Sequence, residues 1–296
     1  MGLASEMCRG SYIAGCNKEY KDLCCETMED HVGSMLEAYR SLDDVVKSSI
    51  RGIYGEYIDL VKALANTSNA NIDLEGVADL QSCDPVELVI AFHDLGKCTR
   101  RSQESLRNRC TAPNHEIVSA ASLYAFSISI NKDFGFIVVL PHIMAILLHH
   151  HPIRSIKDIL SSVSKIKLFE NSDSPSVIEC AKISLDKACP VLAKYVSDAK
   201  WTSNISKLIN ELSKIINFVE NLRKGNNPIA KEIPLLVYRI AVMITGIISV
   251  LDRYAASINR SCGRISEEHL DKDVSEYFRR RRAFAEASNA LSARGI

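Results

Sequence analysis

Val89–Cys98 reads VIAFHDLGKC, and the rest of the chain is best interpreted outward from this stretch. Its first four residues are apolar and predict a buried helix end that delivers His93 and Asp94 side by side. A buried carboxylate needs a cation or hydrogen-bond donors, because burying even a neutral polar group without partners costs about 2–7 kcal/mol. Imidazole and carboxylate are both metal ligands. Gly96 then favours a break in the helix, after which Lys97 can reach back toward the same place.

The composition limits the class of protein. A chain of 296 residues can bury a large core as one domain, and its 36 basic and 36 acidic side chains leave no net charge to attract nucleic acid or membrane. Any such binding must come from local patches. The first residues lack the apolar core of a signal sequence, so we expect a cytoplasmic protein. The ten cysteines form no C-x-x-C pair, which argues against a zinc ribbon, and composition leaves open whether they form disulfides.

Apolar residues recur at helical spacing along most of the chain, and no segment alternates with a period of two over a useful length. This pattern predicts an all-α protein, with a single domain over 1–296. We expect the main helices to cover residues 24–46, 49–65, 84–93, 114–123, 136–148 and 234–257. We expect the remaining segments to be a loop over 66–84, a basic connection over 97–109, a helical insert or lid over 155–230 and a charged C-terminal helix over 264–296.

One apolar segment, Ile233–Leu251, is long enough to cross a membrane. Arg239 lies inside it, however, and Asp252 follows its last residue. Charged side chains are costly at the centre of a bilayer. We therefore interpret this segment as a buried helix of a soluble protein, with no membrane partner.

Seven side chains that can bind a metal lie at the ends or on the inner faces of apolar helices: His31, His93, Asp94, His115, His149, His150 and Asp252. Each has a structural alternative when taken singly, such as a half-exposed helix histidine, or an ion pair of Asp252 with Arg239 or Arg253. Their recurrence on five core-facing helices favours one shared site. Adjacent helix residues point roughly 100° apart. His149 and His150 therefore suit a site with two ions, or one binds an ion and the other its substrate.

The order of these residues resembles the HD superfamily of phosphohydrolases over about residues 25–260. The resemblance rests on His31, HDLGK at 93–97, HEIVSA from His115, LLHHH at 147–151 and GIISVLDRYAAS ending at Ser257. Within the superfamily the chain is similar to the HD nuclease of type I CRISPR interference. As in that nuclease, Lys97 and Gln103 follow the adjacent His93 and Asp94, and an adjacent histidine pair stands 34 residues after His115.

Three positions depart from the family pattern. Ser257 stands one residue farther from Asp252 than the usual serine and is not counted as a site residue. His151 stands where the family usually has glycine, so the ligand pair could instead be His150 and His151. Ser102 replaces the usual aromatic residue before Gln103. These departures leave open which two of the three consecutive histidines bind metal.

The resemblance implies two divalent ions, drawn from Mg, Mn, Ni, Co or Fe. One ion would be held by His31, His93 and Asp252. The other would be held by His115, His149 and His150. Asp94 would bridge both ions, and Lys97 would contact the scissile phosphate or the bridging water.

The resemblance also implies a metal-dependent nuclease that cleaves single-stranded DNA, with RNA as an open alternative. We expect no helicase within this chain, because Gly96-Lys97 lacks the rest of a phosphate-binding loop. A separate CRISPR helicase subunit and an RNA-guided surveillance complex are therefore the expected partners. Arg100 and Arg101, together with Arg279 and Arg280, are candidate strand contacts.

Two other functions remain open at this stage. One is an HD-type phosphohydrolase that acts on nucleotides or cyclic dinucleotides, which would share His93 and Asp94 but prefer a small closed pocket. The other is a helical scaffold without catalysis, in which the histidines hold one structural ion. Substrate turnover and the effect of a chelator distinguish the three.

Overall fold

The computed structural model describes residues 12–16, 25–67, 74–132, 135–150, 169–197, 200–205, 207–209, 212, 214, 217, 221 and 228–260. Over these residues the protein is all-α, with a small antiparallel sheet formed by β1 (Ile13–Cys16) and β2 (Cys25–Thr27). The helices are α1 (Met28–Arg40), α2 (Asp44–Thr67), α3 (Leu74–Ser82), α4 (Pro85–Phe92), α5 (Arg100–Arg109), α6 (His115–Ile130), α7 (Gly135–Val138), α8 (Leu140–Leu148), α9 (Ser174–Ala188), α10 (Pro190–Ala193), α11 (Lys200–Ser203) and α12 (Pro228–Arg260). Short 3₁₀ turns lie at Leu95–Cys98 and Asn171–Asp173.

Helix α4 occupies the centre of the molecule. The Asp84 side chain accepts hydrogen bonds from the Val86 and Glu87 amides, and Pro85 fills the first turn, where its missing N–H costs nothing. Helices α1, α6, α8, α9 and α12 all pack around α4. Every residue from Pro85 to Phe92 except Glu87 is buried, so the helix is apolar on all sides and delivers its C-terminal end to the interior.

Helix α12 forms the other long component of the core and packs against α1, α2, α4 and α8. It is long and apolar enough, by length and composition, to cross a membrane, and half of its most apolar stretch is buried within the fold. This packing places Asp252 near the interior, with 17% of its side chain exposed.

Three segments differ from the sequence-based expectation. The helix expected over 24–46 begins at Met28, after residues 25–27 have formed β2, and ends at Arg40, so the break before α2 lies at 41–43. Residues 66–84 were expected to form a loop, but helix α3 occupies part of them, because Val77 and Leu80 share an apolar face and are buried. Residues 97–109 were expected to be an irregular basic connection, but most of them form α5. Thr99 caps that helix by accepting from the Ser102 amide, and Cys110 ends it in a left-handed conformation with φ 54°.

The predicted insert at 155–230 contains α9, α10 and α11 in its described part. Residues 155–168 lie outside the described residues, as does the predicted C-terminal helix at 264–296. The assignment of the insert as a lid, and the single-domain organisation over 1–296, stay predictions.

Three disulfides join distant parts of the described chain: Cys16–Cys110, Cys83–Cys189 and Cys98–Cys180. Each has one cysteine within 83–110, the segment that carries His93 and Asp94. Bridges that close loops of this length typically contribute about 2–4 kcal/mol each to stability. Disulfides occur in extracellular proteins and in intracellular proteins of hyperthermophiles, and they are rare in other cytosolic proteins. The cytoplasmic location stays a prediction.

His142 is a fully buried histidine on α8, and its ring meets that of Tyr54 edge-on, with the ring centroids 5.0 Å apart. Neither of its ring nitrogens has a hydrogen-bond partner. Burial disfavours the charged imidazolium and lowers the pKa of His142 to about 4, from an ordinary value of 6.5. The unfolded chain therefore binds a proton at this residue more readily than the folded chain does.

We predict that His142 makes the fold sensitive to mild acid. As the pH falls from 7 to 5, the proton taken up by the unfolded state should cost about 2 kcal/mol of stability through this residue alone. His142→Leu should remove that part of the loss. Urea denaturation of the wild type and of His142→Leu at pH 7 and pH 5 measures the loss of unfolding free energy in each protein. Equal losses in the two proteins would show that His142 has no such role.

Candidate metal centre

The seven predicted ligands come together at one place. They form two overlapping groups that share Asp94, and within each group the ligand atoms all lie within 4.8 Å of one another. The first group contains His31, His93, Asp94 and Asp252. The second contains Asp94, His115, His149 and His150. Buried histidine and aspartate groups in this arrangement could hold metal ions.

Five elements supply these residues, mostly from their ends. His93 and Asp94 follow the last residue of α4, His115 opens α6, and His149 and His150 follow α8. His31 lies in the first turns of α1, whose start is fixed by the Thr27 hydroxyl accepting from the Asp30 amide. Asp252 is provided by the C-terminal half of α12. Because helix ends rather than helix faces converge, the ligands leave the helical core intact.

The two oxygens of Asp94 face different groups. Oδ2 lies 3.2 Å from Nε2 of His31 and 3.4 Å from Nε2 of His93. Oδ1 lies 3.0 Å from Nε2 of His115. That contact is not aligned as a hydrogen bond, and Oδ1 has no hydrogen-bond partner. Asp94 is 1% exposed, and its position between the groups is that of a bridging carboxylate.

The remaining contacts complete the two groups. Nε2 of His31 lies 3.3 Å from Nε2 of His93 and 3.4 Å from Oδ1 of Asp252. Nε2 of His150 lies 3.0 Å from Nε2 of His115. Nε2 of His149 is buried without a hydrogen-bond partner. Of the alternatives for the histidine pair, His149 and His150 are the two in the cluster, and His151 lies outside the described residues.

Hydrogen bonds fix the tautomers of three of these imidazoles. In each, Nδ1 lies near the carbonyl oxygen three residues earlier, which can only accept, so Nδ1 carries the proton. The distances are 2.9 Å from His93 to Ile90, 2.6 Å from His115 to Ala112 and 2.5 Å from His149 to Ile146. Each Nε2 therefore presents a lone pair to the cluster, as in histidines that bind metals.

The electrostatics keep most of the ligands in the protonation state that metal binding needs. Burial lowers the pKa of His93 and of His149, and burial with neighbouring His115 lowers that of His150 to about 3. Burial alone would raise the pKa of Asp94, but the His93 ring beside it, the Lys97 ammonium and the other neighbouring histidines hold it well below its usual range. Burial would likewise raise the pKa of Asp252, but the neighbouring His31 holds it below its usual range.

His31 differs from the other histidines. Burial alone would lower its pKa, but the Glu26 and Asp94 carboxylates more than offset this and raise the pKa of His31 to about 10. At neutral pH its ring carries both protons in the metal-free protein. The two carboxylates therefore favour positive charge at Nε2 of His31. In the metal-free protein a proton supplies that charge, and an ion that binds Nε2 must displace it.

Lys97 and Gly96 are positioned by the 3₁₀ turn. Nζ of Lys97 lies 2.6 Å from Oδ2 of Asp94, so the lysine reaches back toward the site as the sequence predicted. Gly96 does more than break the helix. A Cβ at this position would lie 2.1 Å from the carbonyl oxygen of His115. Its amide also donates to Oγ of Ser119 at 2.8 Å, so glycine lets the turn pack directly on α6.

Glu26 is a residue of the site that the sequence analysis missed. It is fully buried in β2, and its Oε1 accepts a hydrogen bond of 2.6 Å from Nδ1 of His31. A three-residue strand has no recognisable period, and a glutamate five positions before a histidine is not a ligand spacing. The sequence therefore held no signal for it.

Gln103 entered the sequence analysis only as part of the family resemblance. Its side chain forms hydrogen bonds with the backbone of Ile13 and with the carbonyl of Lys97.

Two recesses open beside the metal centre and share Pro113 and His115. One has a volume of about 290 Å³ and is lined in part by Lys97 and Arg260. The other, of about 270 Å³, is lined in part by Arg101, Ser105, Asn108 and Arg109. A larger cavity of about 620 Å³ lies beside Asp84, at the opposite end of α4, and brings together no group of metal ligands.

The predicted strand contacts are distributed differently. Arg100 donates to Glu104 at 2.9 Å on the surface of α5, whereas Arg101 lines the recess beside His115. Arg279 and Arg280 lie outside the described residues.

Comparison of the chain with protein-family models, curated proteins and solved structures found no match. The chemistry of the site is therefore the basis for its function.

We predict that Mn²⁺ stabilises the fold through Asp94. At an ion concentration about 100 times the dissociation constant, one bound ion contributes about 2.7 kcal/mol, which should raise the melting temperature by several degrees. Excess chelator should reverse the shift, and Asp94→Asn should abolish it. Asp44→Asn, which changes a fully exposed carboxylate paired with Lys47, is the control. A shift that persists in Asp94→Asn would place the ion elsewhere.

Proposed function

We propose that this chain is a metal-dependent nuclease of the HD type, which hydrolyses phosphodiester bonds in single-stranded nucleic acid. One observation carries the proposal: the buried Asp94 lies between two sets of ligands, one facing each of its oxygens. A pair of neighbouring cation sites around one carboxylate is the arrangement used in two-metal phosphodiester hydrolysis.

Each ligand has a role in this proposal. His31, His93 and Asp252 hold one ion, and His115, His149 and His150 hold the other. Ions held in this way supply Lewis acidity and lower the pKa of a bound water toward neutrality. Imidazole-rich sites suit Mn, Fe, Co or Ni better than Mg, although Mg remains in the expected set. We therefore propose that the protein accepts several divalent ions.

Lys97 and Asp94 are the proposed catalytic residues. The Lys97 ammonium has 7% of its side chain exposed and lies in the recess that also reaches His115. From there it can donate to an oxygen of the attacked phosphate, where negative charge increases during the reaction. Asp94 can orient ligands of both groups, because its two oxygens lie 3.2 Å and 3.4 Å from His31 and His93 on one side and 3.0 Å from His115 on the other.

An extended substrate is favoured over a mononucleotide by the two recesses. They share Pro113 and His115, and the lining includes Lys97 and Arg260 in one recess, and Arg101 and Arg109 together with Glu104 in the other. A strand that crosses His115 could place successive phosphates near cations in both. Hydrolysis of nucleotides or cyclic dinucleotides needs only one such recess and is the second candidate.

The biological setting rests on the family resemblance alone. It points to cleavage of single-stranded DNA, and of RNA as an alternative, during CRISPR interference. A separate helicase subunit would feed the strand, and an RNA-guided surveillance complex would select the target. Catalysis itself requires only the ligand set and Lys97, so it can be tested on the isolated chain.

We predict that His93→Ala and Asp94→Ala abolish Mn²⁺-dependent cleavage of labelled single-stranded DNA, because each removes an ion ligand. Helix content measured by circular dichroism should be retained. His142→Leu is the matched control, since it changes a buried histidine outside the cluster and should keep activity. Cleavage by either alanine variant would refute the assignment. Turnover of mononucleotides alone would select the second candidate.

We predict that Arg101→Ala combined with Arg109→Ala weakens binding of single-stranded DNA without changing Mn²⁺ affinity. If both contact phosphates, the dependence of the binding constant on salt should become shallower by about 1.4 logarithmic units per tenfold change in salt. Binding can be followed by fluorescence anisotropy at several salt concentrations. Lys182→Ala with Lys231→Ala removes the same charge elsewhere, and an equal effect of that pair would exclude a specific strand path.

A further inference from the structure

Glu26, beside the metal centre, has a carboxylate whose two oxygens both accept hydrogen bonds. Its Oε1 accepts from Nδ1 of His31 at 2.6 Å and from Nδ2 of Asn259 at 3.0 Å. Its Oε2 accepts from Nε of Arg260 at 2.7 Å and lies 2.6 Å from Nη2 of the same guanidinium. Glu26 is fully buried, so its orientation is fixed from both sides.

This arrangement treats His31 differently from its neighbours. His93, His115 and His149 donate Nδ1–H to backbone carbonyls of their own segments, whereas His31 donates to a charged carboxylate. A charged acceptor forms the stronger hydrogen bond and makes the opposite ring nitrogen a better donor to a metal. Glu26 thereby orients the His31 ring and commits Nε2 to the cluster.

The partners of Glu26 also connect His31 to Asp252. Asn259 and Arg260 form the C-terminal end of α12, the helix that carries Asp252 two turns earlier. Strand β1 closes over them, because a Cβ at Gly15 would lie 2.1 Å from the Arg260 guanidinium. The bonds of Glu26 therefore fix β2, the start of α1 and the end of α12 relative to one another.

We propose that Glu26 is a positioning residue, which sets the affinity for the ion held by His31, His93 and Asp252 and is itself held by Asn259 and Arg260. The proposal rests on the metal-binding part of the proposed function and is independent of the substrate. The hydrogen bonds of Glu26 go to His31, Asn259 and Arg260 and not to His115, His149 or His150, so we expect the affinity for the ion that those three would hold to be unchanged.

The test is a Mn²⁺ titration of Glu26→Gln by calorimetry, with no nucleic acid present. Removal of a carboxylate that supports a ligating histidine typically costs about 10–100-fold in metal affinity. We expect that loss for one ion and an unchanged constant for the other. Glu29→Gln is the matched control, since it alters a nearby glutamate whose side chain is 62% exposed and pairs with Lys187 at the surface.

A second readout separates positioning from general stability. Nitrogen-15 NMR of the metal-free proteins should show a His31 ring signal that shifts in Glu26→Gln, with the signals of His142 and His149, which do not contact His31, unchanged. Arg260→Met, which keeps Glu26 but removes its clamp, should cause a smaller loss of Mn²⁺ affinity and serves if Glu26→Gln does not fold.

The outcomes are distinguishable. Equal Mn²⁺ affinities of wild type and Glu26→Gln, with only a lower melting temperature in the variant, would overturn the positioning role and leave the metal site standing. Absence of Mn²⁺ binding by the wild-type chain would overturn the metal site and this inference together. Loss of both ions in Glu26→Gln would also contradict the proposal, because it requires the second group to be unaffected.

Discussion

The burial of Asp94 is the constraint on which the rest of the structure depends. An ionised carboxylate that is 1% exposed is stable only if cations or donors surround it, because its desolvation costs several kcal/mol. Lys97 contacts one of its oxygens at 2.6 Å, and His31 and His115 approach its two sides. The protein thus gathers groups from two helices and a 3₁₀ turn around one negative charge, and both of these histidines belong to the cluster that could hold metal ions.

The core is arranged so that helix ends meet at this charge. Helix α4 is apolar on nearly every side and can therefore run through the centre, with its polar residues confined to the step that follows Phe92. Gly96 allows the 3₁₀ turn to contact the backbone of His115, which sets the separation between the HD step and α6. Ser249 of α12 donates to the His149 carbonyl at 2.9 Å and fixes the end of α8.

Elements far apart in the chain hold the cage from outside. The three disulfides tie the 83–110 segment to β1, to α9 and to the start of α10, so the segment that carries Asp94 is anchored covalently at three points. Gln103 of α5 bonds both the backbone of β1 and the Lys97 carbonyl. Glu26 performs the equivalent task for His31 through the end of α12. A centre composed of helix termini needs such ties, since each terminus frays more easily than a helix middle.

Local patterns in the sequence determined the all-α class and nominated the seven candidate ligands, although they left open which two of the three consecutive histidines belong to the set. Helical periodicity and a polar step after an apolar run are properties of consecutive residues, so they can be read without a fold. Helix α3 was missed because its apolar face is short and follows an asparagine-rich stretch. Only the tertiary structure decided that Asp94 faces two ligand groups, that Glu26 supports His31, and which cysteines pair. The cysteine pairs join residues up to 106 positions apart. Glu26 lies only five positions before His31, but it is held by Arg260, 234 positions away. Side-chain proximity over such separations depends on how the helices pack, which no local pattern records.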